Sequence, residues 1–333
     1  MPRRSVARIL PLLAVPLLGG CGGGNQNALH PESAPERSIT HLWWVMFDAA
    51  AVGFGVIVVL LFLGWWRRNR PQLPGGGGDR AATALVVGLG VVIPIVVLAA
   101  LFVWSDIFVL RSTAAPNPGS TALTIRVIGH DWWWEVRYPG GRAVTANEIH
   151  IPIRTRINLV GTTADVIHSF WVPELNRKID LIPGRQNRIL LEADKPGFYR
   201  GQCSEFCGLQ HAHMTVGVVA EPPAAFRRWL ANMARPARAP TGAAATAGRA
   251  VFLTDCGSCH TIRGTAAHGD VGPDLTHLAS RMTLGALTIP NTPVYLAGWI
   301  RNPQAVKPGV HMPAVPLTQR QIADLVAYLR ELR

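Results

Sequence analysis

Residues 148–160 read EIHIPIRTRINLV. Ile149, Ile151, Ile153, Ile157 and Leu159 fall on one alternating set and arginines and Asn158 on the other, the period of two expected of a half-buried β-strand. TALTIRVIG (121–129), RQNRILLEA (185–193) and MTVGVVAE (214–221) alternate in the same way, with Pro and Gly between them. Residues 120–220 are therefore expected to close into a compact β-sandwich or barrel.

The sequence before this region has a different character. The 333-residue chain is 49% hydrophobic, more than a soluble protein of that length needs, which points to a membrane-embedded part. Leu42 to Trp66 is nearly continuous apolar sequence with Asp48 as its one charge, flanked by Trp43-Trp44 and Trp65-Trp66. Arg67-Arg68-Asn69-Arg70 follows and puts that end in the cytoplasm, before a turn at Pro71 and Gly75 to Gly78. A second apolar run, Ala81 to Trp104, returns across the bilayer, with Pro94 tolerable where neighbouring helices satisfy the freed carbonyl. Everything after Asp106 then lies outside the cytoplasm.

The start, MPRRSVARILPLLAVPLLGGC, agrees with that topology: a basic opening, a short apolar run and small residues, the layout of a secretory signal. Its ending, Leu18-Gly19-Gly20-Cys21, resembles the lipobox of bacterial lipoproteins, which would make Cys21 a lipid-modified N-terminus; an ordinary signal peptide is the alternative. The five cysteines form two close pairs and this outlier, unlike a disulfide framework. The 32 Lys+Arg against 20 Asp+Glu give a charge of +12, but without a nucleic-acid-binding motif the excess reads as a solvated surface.

Within the β region, GQCSEFCGLQHAHM (201–214) holds Cys203, Cys207, His211 and Met214 on one Gly-bounded loop. Thiolate, imidazole and thioether together favour copper over zinc or a hard cation. A structural zinc site more often shows CxxC spacing and lacks methionine. His213 competes with His211 on spacing alone, and His168 in ADVIHSFWVPEL (164–175) is either a satisfied core histidine or a further ligand.

These two stretches, with LIPGRQNR (181–188) and GHDWWWEVRY (129–138), resemble subunit II of haem-copper cytochrome c oxidases over the membrane hairpin and the β domain. The resemblance implies a cupredoxin-like Greek-key β-barrel holding the dinuclear copper A centre. By it, Cys203 and Cys207 bridge both coppers, His168 and Met214 complete one, and His211 with the Glu205 carbonyl completes the other. Two bridging thiolates can spread one electron over two metals, so redox change needs little ligand movement. The resemblance also sends the Glu205 carboxylate to a magnesium shared with subunit I, against a solvated loop glutamate as the alternative. It makes Trp132 part of the aromatic patch through which electrons enter, where three adjacent tryptophans could equally fill core and interface. One position departs from the family: the glutamate usual before the proline of the second membrane helix is Val87 here. Asp79 in the loop is a weak substitute, and no proton-channel residue is assigned.

Beyond Trp229, ARPARAPTGAAATAG (234–248) reads as a linker. Cys256-Gly257-Ser258-Cys259-His260 is then the CxxCH of covalent haem c, with His260 as axial ligand. The sixth ligand is sought among Met282, Met312, His268, His277 and His311. KPGVHMPAVPL (307–317) sets Met312 in a proline-bounded loop before an amphipathic helix with Ile322, Leu325, Val326 and Leu329 on one face. By resemblance to class I cytochromes c, which carry the axial methionine at such a place, Met312 is favoured, with His311 beside it still open, and Met282 reads as a packing residue. CGSCHTIRGTAAHGDVGPDLTHLASR (256–281) resembles the all-α class I cytochrome c domain fused to subunit II in caa-type oxidases.

The expected organisation is a signal segment 1–20, an external tether 21–41, membrane helices 42–66 and 81–106 joined by a cytoplasmic loop 67–80, a copper domain 107–230, a linker 231–246 and a haem domain 247–333. Such a multi-domain membrane protein would pass electrons from an external donor, a soluble cytochrome c or a quinol-cytochrome c reductase, through haem c to copper A. From there they would pass to haem in subunit I, for oxygen reduction coupled to proton translocation. Subunits I and III and membrane lipid are the implied partners, nucleic acid is not, and the bacterial plasma membrane is the implied location, with both redox domains on its outer side. The alternatives are the copper A subunit of a nitric oxide reductase, and a copper chaperone, which would lack the companions of the Cys pair and the membrane hairpin.

Overall fold

The computed structural model describes residues 24, 26–68, 78–117 and 119–333. The expected signal segment, Cys21 with its lipidation, and residues 69–77 of the expected loop lie outside the described residues.

Helix α1 (Ala34–Arg67) starts before the apolar run because Ser33 caps it, its hydroxyl accepting from Glu36 N–H at 3.1 Å, and Pro35 suits the first turn. Helix α2 (Arg80–Thr113) is interrupted by π turns at Gly88–Val92 and Ser105–Leu110. The first π turn stands just before Pro94, where the ladder loses a donor, and Ile93 N–H reaches Gly88 O instead. The Asp79–Val87 segment starts at Asp79, so that residue begins a helix rather than ending a loop. Both helices are long and apolar enough to cross a membrane, with none of their apolar windows buried inside the protein. At 1.5 Å per residue the 34 residues of α2 span about 51 Å against a hydrocarbon core of about 30 Å. The helix runs past the expected end at residue 106, to Thr113.

That domain is two five-stranded sheets. One runs β3 (Val144–Ala146), β2 (Trp133–Arg137), β1 (Leu123–His130), β5 (Ile157–Thr163), β8 (Asn187–Leu191). The other runs β4 (Glu148–Pro152), β10 (Thr215–Glu221), β9 (Gly197–Cys203), β6 (His168–Trp171), β7 (Ile179–Leu181). β1 pairs parallel with β5 and β4 parallel with β10, the other pairs being antiparallel, which is a cupredoxin-like architecture. EIHIPIRTRINLV is thus two strands rather than one. Its residues 153–156 turn the chain from one sheet to the other, with Arg154 at φ 52°. The alternation survives because both sheets face one core: Ile149, Ile151, Ile157 and Leu159 are all fully buried, each burial contributing about 1.5–3 kcal/mol. The segment before α1 joins this domain through Glu32 N–H to Glu174 O and Asp194 N–H to Glu32 O, both at 2.9 Å.

Helix α3 (Pro223–Met233) packs Trp229 against Tyr138 and His150, and the last domain begins with helix α4 (Ala243–Asp255). Alanines 243–245, read as linker, are strong helix formers and join α4, so the stretch between the two helices is 234–242. Helices α5 (Pro293–Arg301), α6 (Pro303–Val306) and α7 (Gln319–Glu331), with one two-residue ladder of β11 (Thr283–Leu284) and β12 (Ile289–Pro290), complete it. Tyr328 joins Ile322, Leu325 and Leu329 on the buried face of α7, while Val326 is only partly covered. Where α4 crosses α7, a Cβ on Gly248 would overlap the Asp324 carbonyl oxygen. Gly248→Ala is expected to destabilise this domain by about 1–3 kcal/mol through overpacking, lowering its melting temperature by roughly 4–8 °C per kcal/mol in a calorimetric scan.

Candidate functional site

β9 ends on Cys203 and β10 begins at Thr215, and the loop between them is closed by Cys203 N–H donating to Met214 O at 2.9 Å. Its donors converge. The Cys203 and Cys207 sulfurs lie 3.8 Å apart, with His168 Nδ1 3.9 Å from the first and His211 Nδ1 3.6 Å from the second. Met214 Sδ is 3.8 Å from the Cys207 sulfur, and the Glu205 carbonyl oxygen is 3.2 Å from that of Cys203. All six expected ligands are together, while His213 is exposed and bonded to Gln210 Oε1 at 2.8 Å. Two sulfurs flanked by one imidazole each, with a thioether and a carbonyl as further donors, fit a dinuclear copper centre. The Glu205 carboxylate is exposed, so its two suggested jobs use different atoms of one residue.

His168 reaches the sulfurs because β6 pairs Phe170 with Cys203 and because Gly129 on β1 leaves room: a Cβ there would sit 2.6 Å from the imidazole. Its far nitrogen, Nε2, meets Asp165 Oδ1 at 2.8 Å, which aims Nδ1 at the metal site. Burial alone would raise the Asp165 carboxyl, but the His168 hydrogen bond, with backbone N–H groups of Asp131 and Val166, outweighs it and holds the pKa at about 2. Of the thiols, the hydrogen bond with Cys207 chiefly lowers the pKa of Cys203, while the same contact and burial push the Cys207 thiol up. Metal ligation by both sulfurs would release the proton that this pair shares. Asp165→Asn is expected to weaken copper retention about 10- to 100-fold in a chelator competition, by loosening the imidazole rather than removing a ligand.

Trp132 touches this centre directly: its indole Nε1 donates to Cys207 O at 2.8 Å. The close approach requires Gly208, at φ 105°, where a Cβ would stand 3.1 Å from the indole ring. On its other side Trp132 meets the C-terminal domain, the His311 ring lying 5.5 Å away, and only 5% of its surface is exposed.

That neighbouring domain opens there into a largely apolar cavity lined by Cys256, Cys259, His260 and Met312, and also by His130, Trp132 and Trp133 of the β domain. His260 Nδ1 bonds Pro273 O at 2.9 Å, leaving Nε2 available, and burial lowers its pKa so that the ring is neutral, as an iron ligand must be. Gly272 gives that ring its space. The residues fit a covalently held haem c. Among the candidates for the sixth ligand, Met312 and His311 line the cavity, and His311 also packs on Trp132. His277 is engaged with Arg235 O, His268 is exposed, and Met282 is 49% exposed rather than packed.

Several residues at this junction carried no signal in the sequence reading. Lys307, only 1% exposed, donates to Trp132 O at 2.9 Å, His213 O at 3.0 Å and Gly285 O at 3.3 Å. Burial lowers its pKa to about 8, so at neutral pH it still has three protons for three acceptors. Glu148 on β4 accepts from Met282 N–H at 2.8 Å and Thr283 N–H at 3.2 Å, and Gln210 Nε2 donates to Pro308 O at 2.7 Å. Only Asp165 had a local cue, three residues before His168.

Comparison with known proteins matches residues 141–221 to the periplasmic domain of cytochrome c oxidase subunit II and residues 245–333 to cytochrome c. A cytochrome c oxidase subunit 2 of Alkalihalophilus pseudofirmus is 30% identical over 338 residues, covering 99% of this chain and 98% of its own. One from Bacillus sp. (strain PS3) is 29% identical over 73% of this chain and 72% of its own. The crystal structure of the periplasmic domain of subunit II from Bradyrhizobium japonicum covers 36% of this chain and 96% of its own, at 32% identity and a TM-score of 0.33.

Proposed function

The chain belongs to the cytochrome c oxidase subunit 2 family, and from that membership we propose that it is the subunit through which electrons enter a caa-type oxidase, haem side first. Bound in their two sites, haem c and copper A would supply one-electron redox chemistry, which would place this chain between an external donor and subunit I, where oxygen reduction coupled to proton translocation would follow. Cys256 and Cys259 would hold the haem covalently, with His260 and Met312 ligating its iron. Cys203 and Cys207, with His168, His211, Met214 and the Glu205 carbonyl, would hold the coppers, and the Glu205 carboxylate would be free for magnesium at the subunit I interface. α1 and α2 both span the plasma membrane and keep the two redox domains on its outer side.

The observation that carries this reading is Trp132, which bonds a copper-ligand carbonyl on one side and lines the haem cavity on the other. Because the chain's own domain covers Trp132, an outside protein cannot reach it directly. That favours the haem pocket as the first acceptor and Trp132 as the internal bridge. The test uses the assembled complex. Metal and haem analysis should return two coppers per haem in this subunit, with an EPR pattern of one electron shared between two coppers. Reduced donor should then drive oxygen consumption. Nitric oxide reduction in its place would assign the other terminal acceptor, and a single labile copper would defeat the copper A reading.

A further inference from the structure

Lys307 stands at an unusual place for a lysine. It belongs to the haem domain, following α6, yet its ammonium is buried against the copper domain, with two of its three acceptors there. Those two acceptors are the carbonyls of Trp132 and His213. The first belongs to the residue that bonds Cys207 O, and the second immediately precedes Met214. The same loop sends Pro308 O to the Gln210 side chain and, a few residues on, presents His311 and Met312 to the cavity. A rigid ammonium with three donors on three carbonyls fixes this loop in place more sharply than apolar contact alone, and leaving those carbonyls buried without it would be costly.

We propose that Lys307 is a positioning residue for electron transfer within the chain, docking the haem domain on Trp132 so that the Met312 loop and the copper loop keep one separation. This rests on the haem-to-copper reading above. Lys307 is not a ligand and touches no reacting atom; it acts through the Trp132 carbonyl. Glu148, buried and accepting the Met282 and Thr283 N–H groups, and Arg263, whose guanidinium donates to Met233 O at 2.7 Å, tie the same two domains at other points. Neither of these contacts the bridge. Electron tunnelling decays exponentially with distance, so a small loosening at Lys307 should act on the transfer step out of proportion to its effect on stability.

Lys307→Met, close in volume and without the ammonium, tests this in the assembled oxidase. Two readouts are taken. The first is the rate of haem-to-copper equilibration after photoreduction, expected to fall at least about tenfold. The second is oxidative footprinting of Trp132, expected to be protected in the native protein and labelled in the variant; it can be repeated on copper-free protein. The proposal is overturned if the rate is unchanged, whether or not Trp132 becomes labelled. It is also overturned if the rate falls while Trp132 stays protected, or if the variant loses its Met-ligated haem spectrum or its shared-electron copper signal, since Lys307 would then support one of the sites themselves rather than the docking between them. If native protein shows no haem-to-copper transfer at all, the relay reading fails, and footprinting alone still decides whether Lys307 docks the domains.

Discussion

Cys207→Ser is expected to abolish the dinuclear copper signal and reduce donor-driven oxygen consumption to background, while the haem spectrum stays unchanged. The Cys207 sulfur is the centre of the cluster, within 3.6–3.8 Å of His211 Nδ1, Met214 Sδ and the Cys203 sulfur. A hydroxyl there is a hard donor that stays protonated near neutral pH and cannot share an electron between two metals as a thiolate does. Cys203 and His168 would remain and could hold one copper. Serine is close to cysteine in size, so the loop should still close through the Cys203 to Met214 hydrogen bond. Metal content and EPR on the purified variant complex are the measurements. A variant that kept the shared-electron pattern would show that Cys207 does not bridge.

The second large effect is expected at Met312. Met312→His replaces a thioether by an imidazole opposite His260, and thioether ligation is what raises the potential of such a haem. The midpoint should fall by roughly a few tenths of a volt, within the span that axial ligands control. For a one-electron couple each ~59 mV is a factor of ten in equilibrium. A haem lowered that far still has a downhill step to copper but becomes an uphill acceptor for the donor, so turnover should drop sharply while transfer after photoreduction persists. Redox titration of the haem band with donor-driven turnover separates the two steps. His311→Ala is the companion variant: it should leave the haem potential and the six-coordinate spectrum near native, and loss of that spectrum or a large rise in potential there instead would make His311 the ligand.

The sequence was most readable where chemistry is local. CxxCH, the Cys-x3-Cys loop and the long apolar runs each sit within one short segment, and the donors of the 203–214 loop lie together, with His168, 35 residues away and implied only by the family resemblance, beside them. The strand alternation was readable for a subtler reason. Ile149 and Ile151 on one strand and Ile157 and Leu159 on the next are all buried in the core that both sheets share, so the pattern survived a misplaced boundary. The linker was over-extended because alanine-rich sequence serves equally as spacer and as helix α4. Contacts between domains had no such trace. Lys307 looks like any loop lysine and Glu148 like a strand-edge acid, and their burial depends on how two separately patterned units face each other.

The short stretch 234–242 between α3 and α4 has a kinetic meaning. Fully extended it reaches about 30 Å at ~3.3–3.6 Å per residue, so a haem domain released from its dock remains in a small volume about the copper domain. Its effective concentration there is of millimolar order, and redocking is first order in the chain itself. Diluting the oxidase should therefore leave the internal step unchanged. Salt and donor concentration would act on the encounter with the outside donor, shifting the donor concentration for half-maximal turnover and not its limiting value.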